Sequence, residues 1–446
     1  MKVAVVGAGW AGMAAAVEAA GLGMDVTVFE ATRTLGGRAR ALSAAKPDGT
    51  SLTLDNGQHI LIGAYSETLA LMQRVGLELP HVLMALPLSL PYPDGTGLQT
   101  PAWAARWPAP LDALAAIATA RGWTWGERLA LIRASLRWQM AGFRCEPSAT
   151  VESLCEDLPE RVMRELVEPL CVSALNLPAS HASAAVFLRV MRDALFGRGA
   201  AGFNASSLLL PRTDLTRLFP AAAAQWLQQQ HDKTSRIQLG ARITGLRAEG
   251  TQWRLTGDGI DQAFDRVIWA TTASVAAQTL LAHADDNEAL ASWALSAHAL
   301  GFTAITTVYA WAPGARLAAP MLALRAEPDE QAAPAQFVFD RGQLSPDDPA
   351  AQGVLAFVVS ASTGERDDLQ ARVLQQGQRQ LGLALQPWVT VVEKRATFAC
   401  TPGLERPGAL MAPGLFAAGD YVQGPYPATL ESAVRSGLAA ARLAKG

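Results

Sequence analysis

Scarcity narrows the possibilities first. Four cysteines (Cys145, Cys155, Cys171, Cys400) are scattered through 446 residues without metal-ligand spacing, so they read as reduced, structural thiols of a cytoplasmic protein rather than a disulfide framework. Charged residues make up only 17% of the chain and the net charge is −3, which argues against nucleic acid as a partner. Lysine is far rarer than arginine, a bias of genome composition. Repeats and low-complexity tracts are missing. Half of the residues are hydrophobic, which excludes disorder, yet no long run reads as a membrane span. The two stretches without formal charge, Val267–Ala284 and Trp293–Ala315, are rich in Thr and Ser and read as buried strands with flanking helix or loop. Lys2 and the apolar residues after it resemble a secretory leader, but Glu18 and the glycines that follow assign them to folded structure. The length suffices for two or three domains with full cores.

What is present is concentrated at the start. Met1–Val6 is a short apolar strand. The turn Gly7-Ala8-Gly9-Trp10-Ala11-Gly12 follows, then an Ala-rich helix and a second strand, Val26–Phe29, ending in Glu30-Ala31. Gly7 permits the sharp turn, Gly9 lets backbone approach a pyrophosphate, and Gly12 lets the helix pack closely on the strand. The helix start offers free amides and a positive dipole end, and Glu30 stands where an acid accepts from a ribose. Six residues on, Gly36-Gly37-Arg38 brings backbone and a guanidinium close to the same ligand. Together these motifs resemble the extended signature of FAD enzymes of the glutathione-reductase type, which implies FAD rather than a nicotinamide as the resident cofactor.

The cofactor-binding pieces recur in the middle and at the end. Asp265–Thr271 reads as a buried strand running into a loop, and Phe416–Gly419 as a strand ending at Asp420, whose carboxylate can hold ribityl or ribose hydroxyls. Pro427 suits the first turn of a terminal helix whose free amides at Ala428, Thr429 and Leu430 would face a flavin and favour its anionic reduced form. In Asp55–Gly63, Asn56, Gly57 and Gln58 bring backbone to the ring, and His59 is either a catalytic or a structural histidine. The expected plan is α/β: a Rossmann-like FAD-binding domain from residues 1–85, 205–285 and 396–446. A discontinuous, partly helical α+β substrate domain takes residues 86–204 and 286–395. Residues 86–110 are Pro-rich and irregular, and 111–200 mainly helical. A helix runs from Pro211 through Leu227. Ile237–Leu239 belongs to a strand pair with Ile243–Leu246 and Trp253–Leu255. Further strands lie at Thr303–Ala310, Phe337–Asp340 and Val354–Ser360, with a helix near Asp367–Leu381.

The N-terminal signature, Gly36–Arg38, Asp55–His59 and Gly419-Asp420…Pro427–Gly437 resemble the flavin amine oxidase and phytoene desaturase superfamily. Within it the chain is similar to the hydroxysqualene dehydroxylase family. Pro169-Leu170, Leu175-Asn176, Pro211-Arg212, Phe337–Arg341 and Ser360–Ser362 extend the likeness through the middle. The resemblance implies non-covalent FAD, an external reductant (NADPH or NADH), and reduction of hydroxysqualene to squalene in hopanoid synthesis. It also implies neighbours among squalene-pathway enzymes and no metal. The leaving hydroxyl needs a proton donor, for which His59, Tyr421 and Tyr426 are candidates, with solvent or substrate positioning alone as the alternative. Carotenoid desaturation and amine oxidation are the alternatives on the same fold. Thr429-Leu430-Glu431 lacks the aromatic that amine oxidases place there, and Leu295–Trp311 lacks their lysine. An apolar patch at Pro87–Pro110, with Trp103 and Trp107 beside Arg106, suits docking of a cytoplasmic protein on a membrane surface.

Overall fold

The computed structural model describes every residue except 47–48, 230–234, 284–286, 328 and 330. Ala284 and the expected domain boundary at 285–286 therefore lie outside the described residues. Alternating apolar residues at both ends and in the middle of the chain meet in one six-stranded sheet, ordered Arg236–Leu239, Asp25–Glu30, Lys2–Val6, Arg266–Trp269, Leu415–Ala417, Leu410–Ala412. The first five are parallel, and Leu410–Ala412 runs antiparallel at the edge. The helix Trp10–Gly21 is buried almost all round, which explains its run of alanines. It packs on the sheet beside the terminal helix Leu430–Lys445, so closely that a Cβ on Gly437 would collide with the Ala11 carbonyl. A three-stranded antiparallel meander, Ile243–Glu249, Gln252–Gly257 and Ile260–Phe264, leads into Arg266–Trp269.

A second sheet is antiparallel throughout, in the order Met321–Ala323, Phe337–Asp340, Val354–Ser362, Phe302–Trp311, Gln386–Phe398. Its period-two alternation sorts the side chains. Val338, Phe357 and Val308 pack under the helix Arg366–Leu381, while Phe337, Phe339 and Val358 face the opposite way, toward the parallel sheet. Helices including Leu111–Ala118, Trp125–Met140, Glu168–Leu175 and Ala184–Phe196 complete that side. Burial pushes the thiols of Cys155 and Cys400 up to about 12 and 11, as befits packing rather than reactive cysteines.

Four local expectations are corrected. Ile237–Leu239 does not pair with the meander. It joins the edge of the parallel sheet, because the Gly240 and Ala241 amides donate to the Thr32 and Glu30 carbonyls and hold the turn there. The segment after Pro211 is not one helix. Leu208–Pro211 is a strand, and Asp214 caps a short helix, Leu215–Leu218. Phe219 then breaks the spiral before Pro220 opens Pro220–Gln228. The strand expected to reach Gly419 stops at Ala417. Pro427 precedes the terminal helix instead of starting it: Thr429 is the N-cap, its Oγ1 accepting from the Ser432 amide, and the helix begins at Leu430.

Candidate active site

The two sheets enclose a cavity of about 530 Å³. Its walls divide by origin. Residues from the parallel sheet supply glycine backbone and charge. Those from the second sheet and the adjoining helices, among them Ile305, Phe337, Phe339, Val358, Ala174 and Val190, supply hydrocarbon.

At the polar end, Gly7 has φ +110°, a conformation that side chains rarely adopt, and a Cβ there would lie 2.7 Å from the Ala270 carbonyl. A Cβ on Gly12 would lie 1.9 Å from the Gly7 oxygen. Gly9 differs: its backbone is ordinary and its Cβ would meet nothing nearer than Gly37 at 3.8 Å, because it borders the cavity. No side chain caps the helix that starts here. The Met13 amide donates to the Gly9 carbonyl, leaving the amides of the turn before it for a ligand. Glu30 is buried at the end of its strand, its Oε2 accepting from the Ala8 amide at 2.8 Å and its Oε1 from Thr32. An uncapped helix, a space that a Cβ would fill and an acceptor-only acid fit a dinucleotide diphosphate and its ribose.

Arg38 bridges three distant parts of the chain. Its guanidinium donates to Asp420 Oδ1 at 2.5 Å and to the Ala396 carbonyl at 2.6 Å. Its charge is therefore matched in part by Asp420, where the sequence reading reserved it for phosphate. Around these residues the cavity wall includes Ala11, Ala31, Gly36, Gly37, Asn56, Gly57, Gln58, Gly419, Ala428, Thr429 and Leu430. Ala8 and Gly12 stand behind the wall and shape it.

The three candidate proton donors separate. His59 lines the cavity with Nδ1 2.8 Å from the Gly57 carbonyl, so Nδ1–H donates there and Nε2 is left as an acceptor. Burial, helped by Arg38, holds its pKa below the usual imidazole range, against the pull of that hydrogen bond. Tyr421 does not line the cavity: its ring is buried against Trp293 and its hydroxyl has no partner among the described residues. Tyr426 does line it. Its hydroxyl donates to Asp193 Oδ2 at 2.6 Å and accepts from Arg189 at 3.0 Å, and the guanidinia of Arg189 and Arg435 lie over its ring at 4.8 and 5.3 Å.

Sequence reasoning missed Tyr65, which lines the cavity and is raised above the ordinary phenol range by burial. It also missed Asp193, and it singled out no individual residue of the apolar wall, although that wall comes from the helical region 103–200 and the strands of 300–360, where an apolar tunnel was expected. For Phe337, Phe339, Val358 and Ser360 the signal existed as period-two alternation. Asn176, at φ +53°, is a structural pin: its amide group donates to Thr303, Thr397 and the Ala304 carbonyl and accepts from Ala361. Glu431 is spent on structure as well, accepting from the Glu67 and Thr68 amides and from Arg435. Among the described residues no cluster of His, Cys, Asp or Glu could hold a metal ion.

Comparison with known proteins follows the same outline. A family model described as flavin containing amine oxidoreductase matches residues 10–444. A hydroxysqualene dehydroxylase from Sinorhizobium fredii is 27% identical, across 99% of this chain and 98% of that protein. Another, from Rhodopseudomonas palustris, is 28% identical across 99% and 97%. A zeta-carotene desaturase from a Synechocystis strain is 40% identical, but over only 18% of this chain and 15% of that protein. In fold, an oxidoreductase from Methanosarcina mazei superimposes with a TM-score of 0.71 at 15% identity, covering 98% of this chain and 99% of that one.

Proposed function

The chain belongs to the flavin-containing amine oxidoreductase family, and from that premise we propose that this flavin-dependent oxidoreductase binds FAD non-covalently and reduces hydroxysqualene to squalene. The observation that carries the substrate is the end-to-end similarity to hydroxysqualene dehydroxylases. The apolar wall supports it, since a long hydrocarbon alcohol needs such a chamber. When bound and reduced, flavin would supply hydride-transfer chemistry here, with NADPH or NADH as the external reductant.

The remaining work falls to the chain. The helix start at Gly9–Gly12 and Arg38 balance diphosphate charge, and Glu30 takes ribose hydroxyls. The amide end of the helix at Leu430 favours negative charge on the reduced ring. Ile305, Phe337, Phe339 and Val358 hold the hydrocarbon and keep water from capturing an allylic cation. The departing oxygen takes its electron pair from the C–O bond and a proton from the Tyr426 hydroxyl, which turns from Asp193 to deliver it; burial and Asp193 raise that phenol's pKa, and Arg189 and Arg435 work against this by steadying the phenolate until water reprotonates it. His59, neutral and with its N–H held by Gly57, orients rather than protonates. The parallel sheet and its meander form the cofactor unit, and the second sheet with its helices the substrate unit.

Anaerobic mixing of photoreduced enzyme with hydroxysqualene tests the reading. Flavin reoxidation with squalene appearing in equal amount is expected, and a flavin that stays reduced overturns it. Carotenoid desaturation, favoured by the short match to zeta-carotene desaturase, predicts instead that oxidised enzyme is reduced by phytoene. Amine oxidation is disfavoured because no lysine lines the cavity among the described residues.

A further inference from the structure

Eight of the fifteen exposed large apolar residues among the described residues fall between Trp103 and Met140. Trp103 (60% exposed) and Trp107 pack edge to face at 4.9 Å, and Leu111 and Leu114 continue their surface along the helix Leu111–Ala118. On the next helix, Trp125–Met140, the exposed residues Trp125, Leu129, Leu136 and Met140 recur at spacings of four, seven and four, which places them on one stripe; Arg133 falls within it. Leu131, Ala134 and Trp138 occupy the buried side of that helix. Arg128 joins the two groups: its guanidinium stacks on the Trp125 ring at 4.8 Å and donates to the Ala118 and Ala120 carbonyls at the end of the preceding helix.

Charge accompanies this surface. Residues 101–144 carry six arginines against two acids, in a chain whose net charge is −3. One acid, Asp112, is buried, and the other, Glu127, is engaged by Thr124 in a capping box. Arg106, Arg121, Arg133 and Arg144 are exposed and make no ion pair among the described residues. The base of the surface touches the cavity wall. The Trp107 carbonyl accepts from Asn204, and Asp112 accepts from Ser206. The neighbouring Ala205 and Ser207 carbonyls hold the amides of Ala64 and Gly63, beside the cavity residues Ile62, Ala64 and Tyr65.

The geometry points to this paired-helix surface as a docking face for an anionic lipid bilayer, with Trp103, Trp107 and Trp125 inserting at the headgroup level and the unpaired arginines meeting lipid phosphates. Tryptophan suits a boundary that is apolar on one side and wet on the other, and arginine stems bury while their heads stay at phosphate. A second copy is a poor occupant, because an isologous dimer would set the same unpaired arginines against one another. Docking here brings the cavity wall to the lipid surface and does not depend on which lipid the enzyme converts.

The test is flotation of the full flavin-loaded chain with vesicles of phosphatidylcholine alone or with one third phosphatidylglycerol. Binding to the anionic vesicles at least about tenfold stronger, and weakened by salt, is expected. Trp103→Ser with Trp107→Ser and Trp125→Ser should reduce it about tenfold or more. Arg106→Gln with Arg121→Gln, Arg133→Gln and Arg144→Gln should abolish the preference for anionic lipid. Both variants should keep wild-type flavin content and melting temperature, since every altered side chain is exposed. Equal binding to neutral vesicles, no binding, or a dimer in light scattering that the tryptophan variant dissolves would each overturn the proposal. Its failure is distinguishable from failure of the proposed reaction, which is read with detergent-dispersed hydroxysqualene and no vesicles.

Discussion

Gly9 and Gly12 lie three residues apart in one turn, and the structure assigns them opposite reasons for lacking a side chain. Gly12→Ala places a Cβ 1.9 Å from the Gly7 oxygen, about 1.5 Å short of ordinary contact. Neither side can yield. The Gly7 amide is held by the Phe29 carbonyl at 2.7 Å, and the helix is in close contact with Gly437 on the terminal helix. Overpacking of this kind costs about 1–3 kcal/mol, so the apoprotein should melt several degrees lower. Gly9→Ala meets no protein atom closer than 3.8 Å and keeps φ −74°, a conformation alanine adopts freely. Apoprotein stability should hold, or rise by about 0.4–1 kcal/mol from the stiffer unfolded chain. The methyl instead occupies the space a diphosphate needs, so flavin affinity should fall at least about tenfold, roughly 1.4 kcal/mol. Thermal melts of both apoproteins, with flavin titrations followed by fluorescence quenching, separate the two effects. A Gly9→Ala protein that binds flavin as wild type would remove the dinucleotide from this turn. One that melts as low as Gly12→Ala would show that Gly9 serves packing instead.

Asp55 is buried, and burial lifts its pKa to about 6 against the pull of Arg341 and the Leu215 amide. Its ordinary value is 3.8, so the folded state holds the proton more tightly than the unfolded one. Stability from this group is complete below pH 4 and is lost as pH rises through 6, by about 3 kcal/mol. Urea midpoints of Asp55→Asn minus wild type should therefore climb between pH 4 and 7, and a flat difference refutes the argument. Tyr426→Phe should retain flavin yet slow turnover about 100-fold, while His59→Ala slows it less than about tenfold; the reverse order transfers the acid role to His59. Glu431→Gln turns an amide NH2 toward the donors at Glu67 and Thr68, so it should lower the melting temperature by several degrees and loosen flavin. An unchanged melt would mean those amides find water instead.

How much could be read from the chain alone depended on the sequence distance over which each feature is decided. The cradle at Gly7–Arg38 was legible because its constraints act within one strand–turn–helix unit: a positive φ, a close helix crossing and an acid at a strand end. The parallel sheet was foreseeable for its first, middle and last strands, since Lys2–Val6, Arg266–Trp269 and Leu415–Ala417 are short apolar runs beside recognisable motifs. Tyr421 and Tyr426 could not be told apart. Tyr421 adjoins Asp420 and Tyr426 follows six residues on, and only the bend between them sends one ring toward Trp293 and the other into the cavity beside Asp193, which lies over two hundred residues earlier.

The least legible features are those in which a residue's apolar character serves two surfaces at once. Phe337, Phe339 and Val358 look like core because they are core on either side of the cavity they line; nothing local distinguishes a wall from a filling. The helix Trp125–Met140 shows the same ambiguity outward. Leu131, Ala134 and Trp138 pack inward while Trp125, Leu129, Leu136 and Met140 face out, so its apolar residues point both ways and no single stripe stands out in the sequence. A helix apolar on both faces is ordinarily buried on both. Here one face has no protein partner among the described residues, and exposed arginines without ion pairs accompany it. A buried face would not keep unpaired arginines beside it, because a buried charge without a partner is costly. The arginines therefore carry the information that the apolar pattern hides: they mark the outer stripe as a surface meant to stay at the boundary between protein and something negatively charged.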